Sequence, residues 1–171
     1  MSADTNSESK LSTAEKGVEA QIKFVREDFE LNVDLDIPAT GTTAIFGKSG
    51  CGKTTLLRIL AGLETRAQAE ISLGQRLWQS SLAGSFFPAE QRRIGYVFQA
   101  PSLLQHLSVA ENLAYASARS YSDGAEIELE ALVAHLGVSA LLEKYPNELS
   151  GGEQQRVAIA RALAVGQSFY Y

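Results

Sequence analysis

Residues Gly47-Lys48-Ser49-Gly50-Cys51-Gly52-Lys53-Thr54 follow the pattern G-x-x-x-x-G-K-[ST] in full. That pattern works in one context, between an incoming apolar strand and an outgoing helix. Thr43-Ala44-Ile45-Phe46 is short and apolar without alternation, and reads as a strand buried on both faces. A helix is expected from Lys53 to Leu63, with Leu56, Leu60 and Leu63 on one face. The glycines let the backbone turn tightly and bring its N–H groups against phosphate oxygens. The helix N-terminus turns its partial positive charge toward the same anion. Lys53 reaches the β- and γ-phosphates as a point charge, and the Thr54 hydroxyl is placed to ligate Mg²⁺. A Gly/Ser-rich turn could match by chance, but motif and context coincide here. Cys51 inside the loop is either a small residue at a variable position or an oxidisable thiolate favoured by the helix N-terminus.

Around this loop the chain is mixed α/β. Leu31 to Ile37 alternates apolar and polar residues, the mark of a strand with one wet and one buried face, and Gln21 to Val25 reads as its neighbour. Pro38-Ala39-Thr40-Gly41 makes a turn. Ile71 to Trp78 predicts one strand, Gln79 to Gln91 a loop, and Ile94 to Phe98 a buried strand. The second half is helical. Ser108-x-x-Glu111 and Ser150-x-x-Glu153 are capping boxes, the second opening a helix toward Ala164. Leu129, Leu132, Val133 and Leu136 form the apolar face of a further helix that Gly137 stops.

Composition removes several function classes. Twenty acidic against 15 basic residues give a net charge of -5, which argues against a non-specific nucleic-acid binder. The single cysteine forbids an internal disulfide and fits a reducing compartment. No stretch approaches the ~20 apolar residues of a membrane span. Residues 1–20 read as a disordered polar tail without the apolar region of a secretory signal.

Leu149-Ser150-Gly151-Gly152-Glu153-Gln154-Gln155-Arg156 resembles the signature motif of ABC-type ATPases. Gln99, after Ile94–Phe98, resembles that family's Q-loop glutamine, and Phe24 stands where the family keeps an aromatic that stacks on adenine. The likeness covers residues 21–166, a partial ATP-binding domain, with 167–171 unlike the family. It implies a P-loop NTPase fold of the ABC type, with an antiparallel β subdomain, a helical signature subdomain and the C-terminal part of the core missing. It further implies ATP and Mg²⁺ as cofactors. The nucleotide would be held by Phe24, Gly47 to Thr54, Thr55 and Gln99, and the metal by Thr54 and Gln99. Ser150, Gly151, Gly152, Glu153 and Gln154 would reach the ATP of a second subunit in a head-to-tail dimer. The residues bear this out in part. Phe24 offers a π-face, but is equally read as an apolar strand residue facing the core. Gln99 can accept from a metal-bound water, or be a polar residue at a strand end. Two adjacent glycines in a first helical turn, each costing ~1 kcal/mol against Ala, suit close approach of a ligand.

The runs Thr42–Gly47 and Phe86–Gln99, continued by Leu104–Val109, are similar to the ATP-binding subunits of bacterial molybdate importers. Gln105 and Arg66-Ala67-Gln68-Ala69 depart from the usual pattern, and sulfate, iron and polyamine importers share much of it. The resemblance implies a membrane permease as partner, a periplasmic binding protein indirectly, and a place at the cytoplasmic face of the bacterial inner membrane. His106 and His135 receive no catalytic role. The family continues with a strand ending in Asp-Glu, which positions Mg²⁺ and the attacking water. Here the last carboxylate is Glu153. Beyond Lys53 and Gln99 the chain therefore offers no catalytic residue, and hydrolysis by it is not expected. A premature stop, a frameshift or a truncated gene model would each give this end. The rival reading is an inert or regulatory nucleotide-binding module.

Overall fold

The computed structural model describes residues 17–27, 29–92, 94–119 and 129–165. These fall into two compact units, residues 17–56 with 64–87, and residues 57–63 with 88–165. Most of the expected tail and all of 167–171 lie outside the described residues. Residues 18–20, read as tail, are instead the start of a strand.

The first unit is a five-stranded antiparallel sheet in the order β2-β1-β3-β4-β5. Its strands are β1 (Val18–Arg26), β2 (Phe29–Ile37), β3 (Gln68–Leu73), β4 (Arg76–Ser80) and β5 (Ser85–Phe86). The alternation in β1 buries Val18, Ala20, Ile22 and Phe24 and exposes the residues between them. Leu31, Ala69, Ile71 and Trp78 add to the same buried set. Phe24 pairs across to Leu31, which keeps both side chains on one face. The single strand expected over Ile71–Trp78 is two strands of a hairpin that reverses between Leu73 and Arg76. The expected loop over Gln79–Gln91 contains the end of β4, the short β5 and a 3₁₀ turn at Ala89–Gln91.

Two expected buried strands are not formed. Residues 42–48 carry no regular structure, and Phe46 is 90% exposed. Residues 94–98 contain an isolated bridge at Gly95 and nothing longer. A strand exists by pairing, and no described strand pairs with 43–46. The family resemblance pairs this run with the Asp-Glu strand, and without that strand residues 43–46 are expected to lose a neighbour and expose an apolar edge, with which the exposure of Phe46 agrees.

Helix α1 (Lys53–Leu60) follows the glycine-rich loop, its first turn counted with the first unit and the rest with the second. It ends three residues before the expected Leu63 because Gly62 closes it. The second unit also holds α2 (Val109–Ser117), α3 (Leu129–His135) and α4 (Gly151–Ala164). Both expected capping boxes are present, with Ser108 and Ser150 as N-caps. The core of this unit gathers Val109 and Leu113 from α2, Val133 from α3, and Val157, Ala158 and Ala160 from α4 around Leu103, Val138, Leu141 and Leu149. Gly95 lies against the C-terminal end of α4, where an added Cβ would come 2.5 Å from the Ala162 carbonyl oxygen.

Candidate functional site

The loop residues 47–54 wrap around the Lys53 ammonium. Lys53 Nζ donates to the carbonyl oxygens of Gly47 and Lys48, each at 2.8 Å, and lies 3.8 Å from Cys51 Sγ. Gly50 and Gly52 have φ of +80° and +95°. A Cβ at Gly52 would also meet Phe29 Cζ at 2.5 Å, so β2 side chains lie directly against the loop. Larger residues there are opposed by both strain and contact. The Leu56 N–H donates to the Gly52 carbonyl at 2.8 Å, so the helical ladder starts within the loop. The first turn of α1 has no acidic residue to offset its partial positive charge. Residues 47–51 and Thr54 are exposed, and Thr55 is half-buried.

This donor set fits an anion of phosphate type. It combines a helix N-terminus, a glycine-bent backbone and one ammonium already poised over the loop. Thr54 offers one hard oxygen ligand to a cation. Among the described residues no group of three His, Cys, Asp or Glu is arranged to hold a metal. A metal here would depend on ligands brought by phosphate and water, the habit of Mg²⁺.

Phe24 requires a correction. Its ring is 3% exposed, with the Phe29 ring 6.4 Å away, centroid to centroid, and the Arg66 guanidinium carbon 6.0 Å from its centre. No face is open to a base, and the core reading of this residue is the one the structure supports. Gln99 lies exposed on a bend after Phe98.

In the second unit the signature residues form a compact turn. Ser150 Oγ donates to Glu153 Oε2 at 2.6 Å, the Ser150 N–H donates to the same oxygen at 2.8 Å, and the Glu153 N–H returns to Ser150 Oγ at 3.4 Å. These bonds, the Ser150 hydroxyl first, hold the Glu153 carboxyl below the ordinary glutamate value. Gln154 turns inward, and its Nε2 donates to the carbonyls of Pro146 at 2.9 Å and Leu149 at 3.3 Å. That side chain orders the approach to the turn. Gly151 and Gly152 are exposed, and a Cβ at either would meet nothing within 4 Å. Packing among the described residues gives no reason for glycine at these two positions.

Three residues that hold these segments escaped the sequence reading: Arg92, Asn112 and Arg161. Arg92 and Asn112 are buried polar side chains, 1% and 0% exposed. An arginine between Gln91 and Arg93, or an asparagine after Glu111, looks like any surface residue until its burial is known.

Comparison with known proteins settles the family. The ABC transporter family model matches residues 31–170. The chain belongs to the ABC transporter family. The match extends past residue 166, where the resemblance read from motifs stops. Molybdenum import ATP-binding protein ModC 1 of Azotobacter vinelandii is 49% identical over 147 residues, 86% of this chain and 41% of its own length. The ModC proteins of Albidiferax ferrireducens and Pseudomonas aeruginosa are 49% and 46% identical over 86% of this chain, covering 40% and 41% of their lengths. The chain thus spans about two fifths of the length of the curated relatives it matches. Among solved structures, CbiO1 of Clostridium perfringens, part of the ABC transporter complex CbiONQ, superimposes with a TM-score of 0.67. That likeness covers 88% of this chain and 62% of CbiO1 and, at 24% identity, bears on fold alone. This ABC family chain therefore has a P-loop NTPase fold with an antiparallel sheet and a helical signature region. No helix among the described residues is long and apolar enough to cross a membrane.

Proposed function

We propose that this chain carries the nucleotide-binding and signature segments of the ATP-binding subunit of a molybdate importer. The observation that carries the reading is the conformation of residues 47–54. Lys53 Nζ lies over the Gly47 and Lys48 carbonyls, at the start of a helix with no acid in its first turn. ATP binds with its β- and γ-phosphates on the loop N–H groups and Lys53. The Thr54 hydroxyl would be a ligand of Mg²⁺, which would supply charge neutralisation at the phosphates. Lys53 exchanges two carbonyl acceptors for phosphate oxygens.

The signature turn serves a second subunit in a head-to-tail dimer. Support comes from Gly151 and Gly152, which packing among the described residues does not need, and from Ser150, already at a helix N-terminus. The names of the relatives support molybdate as the transported ion, and the family resemblance supports a membrane permease as partner and the cytoplasmic membrane face as the location. Sulfate, iron or polyamine would be the alternative cargo.

Titration of the 171-residue chain with ATP and Mg²⁺ tests the loop. Lys53→Ala is expected to weaken binding about 10- to 100-fold, the loss of one charge-assisted contact. Equal affinities would remove the loop from the site. Genes for a permease and a periplasmic oxyanion-binding protein beside this one would support the cargo. Neighbours for sugar or amino-acid uptake would count against it.

A further inference from the structure

Helix α1 has eight residues, well under the ~12–15 at which an isolated helix begins to hold itself together. Its C-terminal end therefore matters to its N-terminal end. That end closes in a Schellman turn. Gly62 N–H donates to the Ile59 carbonyl at 3.0 Å and Leu63 N–H to the Arg58 carbonyl at 2.8 Å, with Gly62 at φ +73°. The turn answers the carbonyls of Arg58 and Ile59 but not that of Leu60, one of the last four a helix leaves open. Arg92 answers it. Its Nη1 donates to the Leu60 carbonyl at 2.7 Å and shares the Ile59 carbonyl at 3.0 Å.

The seat for that guanidinium is shaped closely. A Cβ on Gly62 would lie 2.7 Å from Arg92 Nε and 3.0 Å from both Arg92 Cζ and the Ala89 nitrogen. Gly62 thus serves both the left-handed turn and the room for Arg92. A buried cation is costly unless its surroundings are negative. The C-terminal end of a helix is negative, and Arg92 stands against it with 1% of its surface exposed. An apolar side chain could fill that space but could not bond the carbonyls.

We propose that Arg92 is a positioning residue for the phosphate loop. Seated against Gly62 and the last carbonyls of α1, its guanidinium keeps formed the short helix whose first turn carries Lys53 and Thr54. It acts through α1 and not by contact with nucleotide. The proposal rests on the reading of residues 47–54 as a nucleotide-phosphate site.

The test uses the 171-residue chain with Arg92→Met, Arg92→Lys and Gly62→Ala. Two quantities are read for each: the ATP dissociation constant with Mg²⁺, and amide hydrogen exchange along α1, α2 and α4. Arg92→Met is expected to weaken ATP binding about tenfold, the effect of one well-placed helix-end cation. Exchange should accelerate at Leu56 to Leu60 more than in α2 or α4. Arg92→Lys, which keeps a cation, should recover part of both. Gly62→Ala, which both strains the left-handed turn and displaces the guanidinium, should weaken binding at least as much as Arg92→Met, and the partial recovery in Arg92→Lys decides the matter where the methionine variant does not fold. Unchanged ATP affinity in a folded Arg92→Met or Gly62→Ala chain would overturn the proposal. Protection lost equally in all three helices would also overturn it, since Arg92 would then be a general stabiliser. Failure of the parent chain to bind ATP would instead overturn the loop reading, while the exchange pattern would still report on the Arg92 seat.

Discussion

Asn112 on α2 and Arg161 on α4 meet through Arg161 Nη1 and Asn112 Oδ1, 3.4 Å apart. The same Oδ1 accepts the Leu104 N–H at 2.9 Å, while Nδ2 faces the carbonyls of Leu104, Leu107 and Ser108 at 2.9–3.1 Å. Arg161 Nη2 donates to the Ser102 carbonyl at 2.7 Å. The loop from Ser102 to Ser108 therefore hangs from two helices, one of them the helix that follows the signature turn. Burial pulls the Arg161 pKa down from its ordinary value, against a smaller opposing effect of Tyr115.

Asn112→Ala removes the acceptor of the Leu104 N–H and the donor that faces three carbonyls. Leaving such groups unanswered costs about 2–3 kcal/mol here, since water can relieve only part of the loss. Urea denaturation should show that drop, and hydrogen exchange should show Leu104 losing protection ahead of the rest of the unit. A change below about 0.5 kcal/mol would mean that the loop is held by other contacts.

The capping box at Ser150 should give α4 a pH-dependent component of stability. The folded-state pKa of Glu153 is lowered, mainly by the Ser150 hydroxyl and then by its N–H. A lowered carboxylate value stabilises the fold above the ordinary glutamate pKa of 4.5, and the contribution disappears as pH falls through the folded value. Unfolding midpoints in urea, measured from neutral pH downward, should show the parent chain more stable than Glu153→Gln above that range. The two should converge in acid, and a constant gap at every pH would show that the carboxylate charge is not involved.

Phe24→Leu separates a core ring from a base-stacking platform. With the ring 3% exposed, the variant should lose about 1–1.5 kcal/mol of stability and keep its ATP affinity within about twofold. A stacking platform would instead forfeit ~1–3 kcal/mol of base contact, a clear loss in a nucleotide titration.

Some of this molecule was legible in the sequence for identifiable reasons. The capping boxes at Ser108 and Ser150 were readable because both partners lie within four residues of each other. The alternation from Leu31 to Ile37 was readable because period and burial coincide in a sheet with one covered face. Leu63 continues the apolar period of α1, so periodicity extends the helix past the Gly62 that ends it. The β3–β4 turn at Gly74 is hidden for a similar reason, because Ile71, Leu73, Leu77 and Trp78 on either side of it suggest one strand. Arg92 and Arg161 have no local signal, since their acceptors lie 32 or 33 and 49 or 59 residues away, while Asn112 bonds a nearby loop whose course the sequence does not reveal.

Gly151→Ala and Gly152→Ala should each stabilise the 171-residue chain by up to about 1 kcal/mol. A helix favours Ala over Gly by that amount, and an added Cβ meets nothing at either position. Thermal or urea unfolding of the single variants is sufficient to check it. Destabilisation by either would reveal a packing demand inside the chain and weaken the view that these glycines serve a ligand of another subunit.

Phe46 lies on the run expected to expose an apolar edge where its neighbouring strand is lacking. Its apolar run reads as a strand buried on both faces, yet the ring is 90% exposed on a segment with no described pairing partner. A residue buried in a sheet core would cost about 3–5 kcal/mol on truncation. An exposed one away from any special feature should change stability by no more than about 0.5 kcal/mol. Phe46→Ser is therefore expected to leave the urea midpoint of the 171-residue chain nearly unchanged. It should also reduce self-association in sedimentation, because an exposed apolar ring on an unpaired extended segment is a template for pairing with another chain. A loss of several kcal/mol would mean that Phe46 is covered in solution and that residues 43–46 have found a strand to pair with.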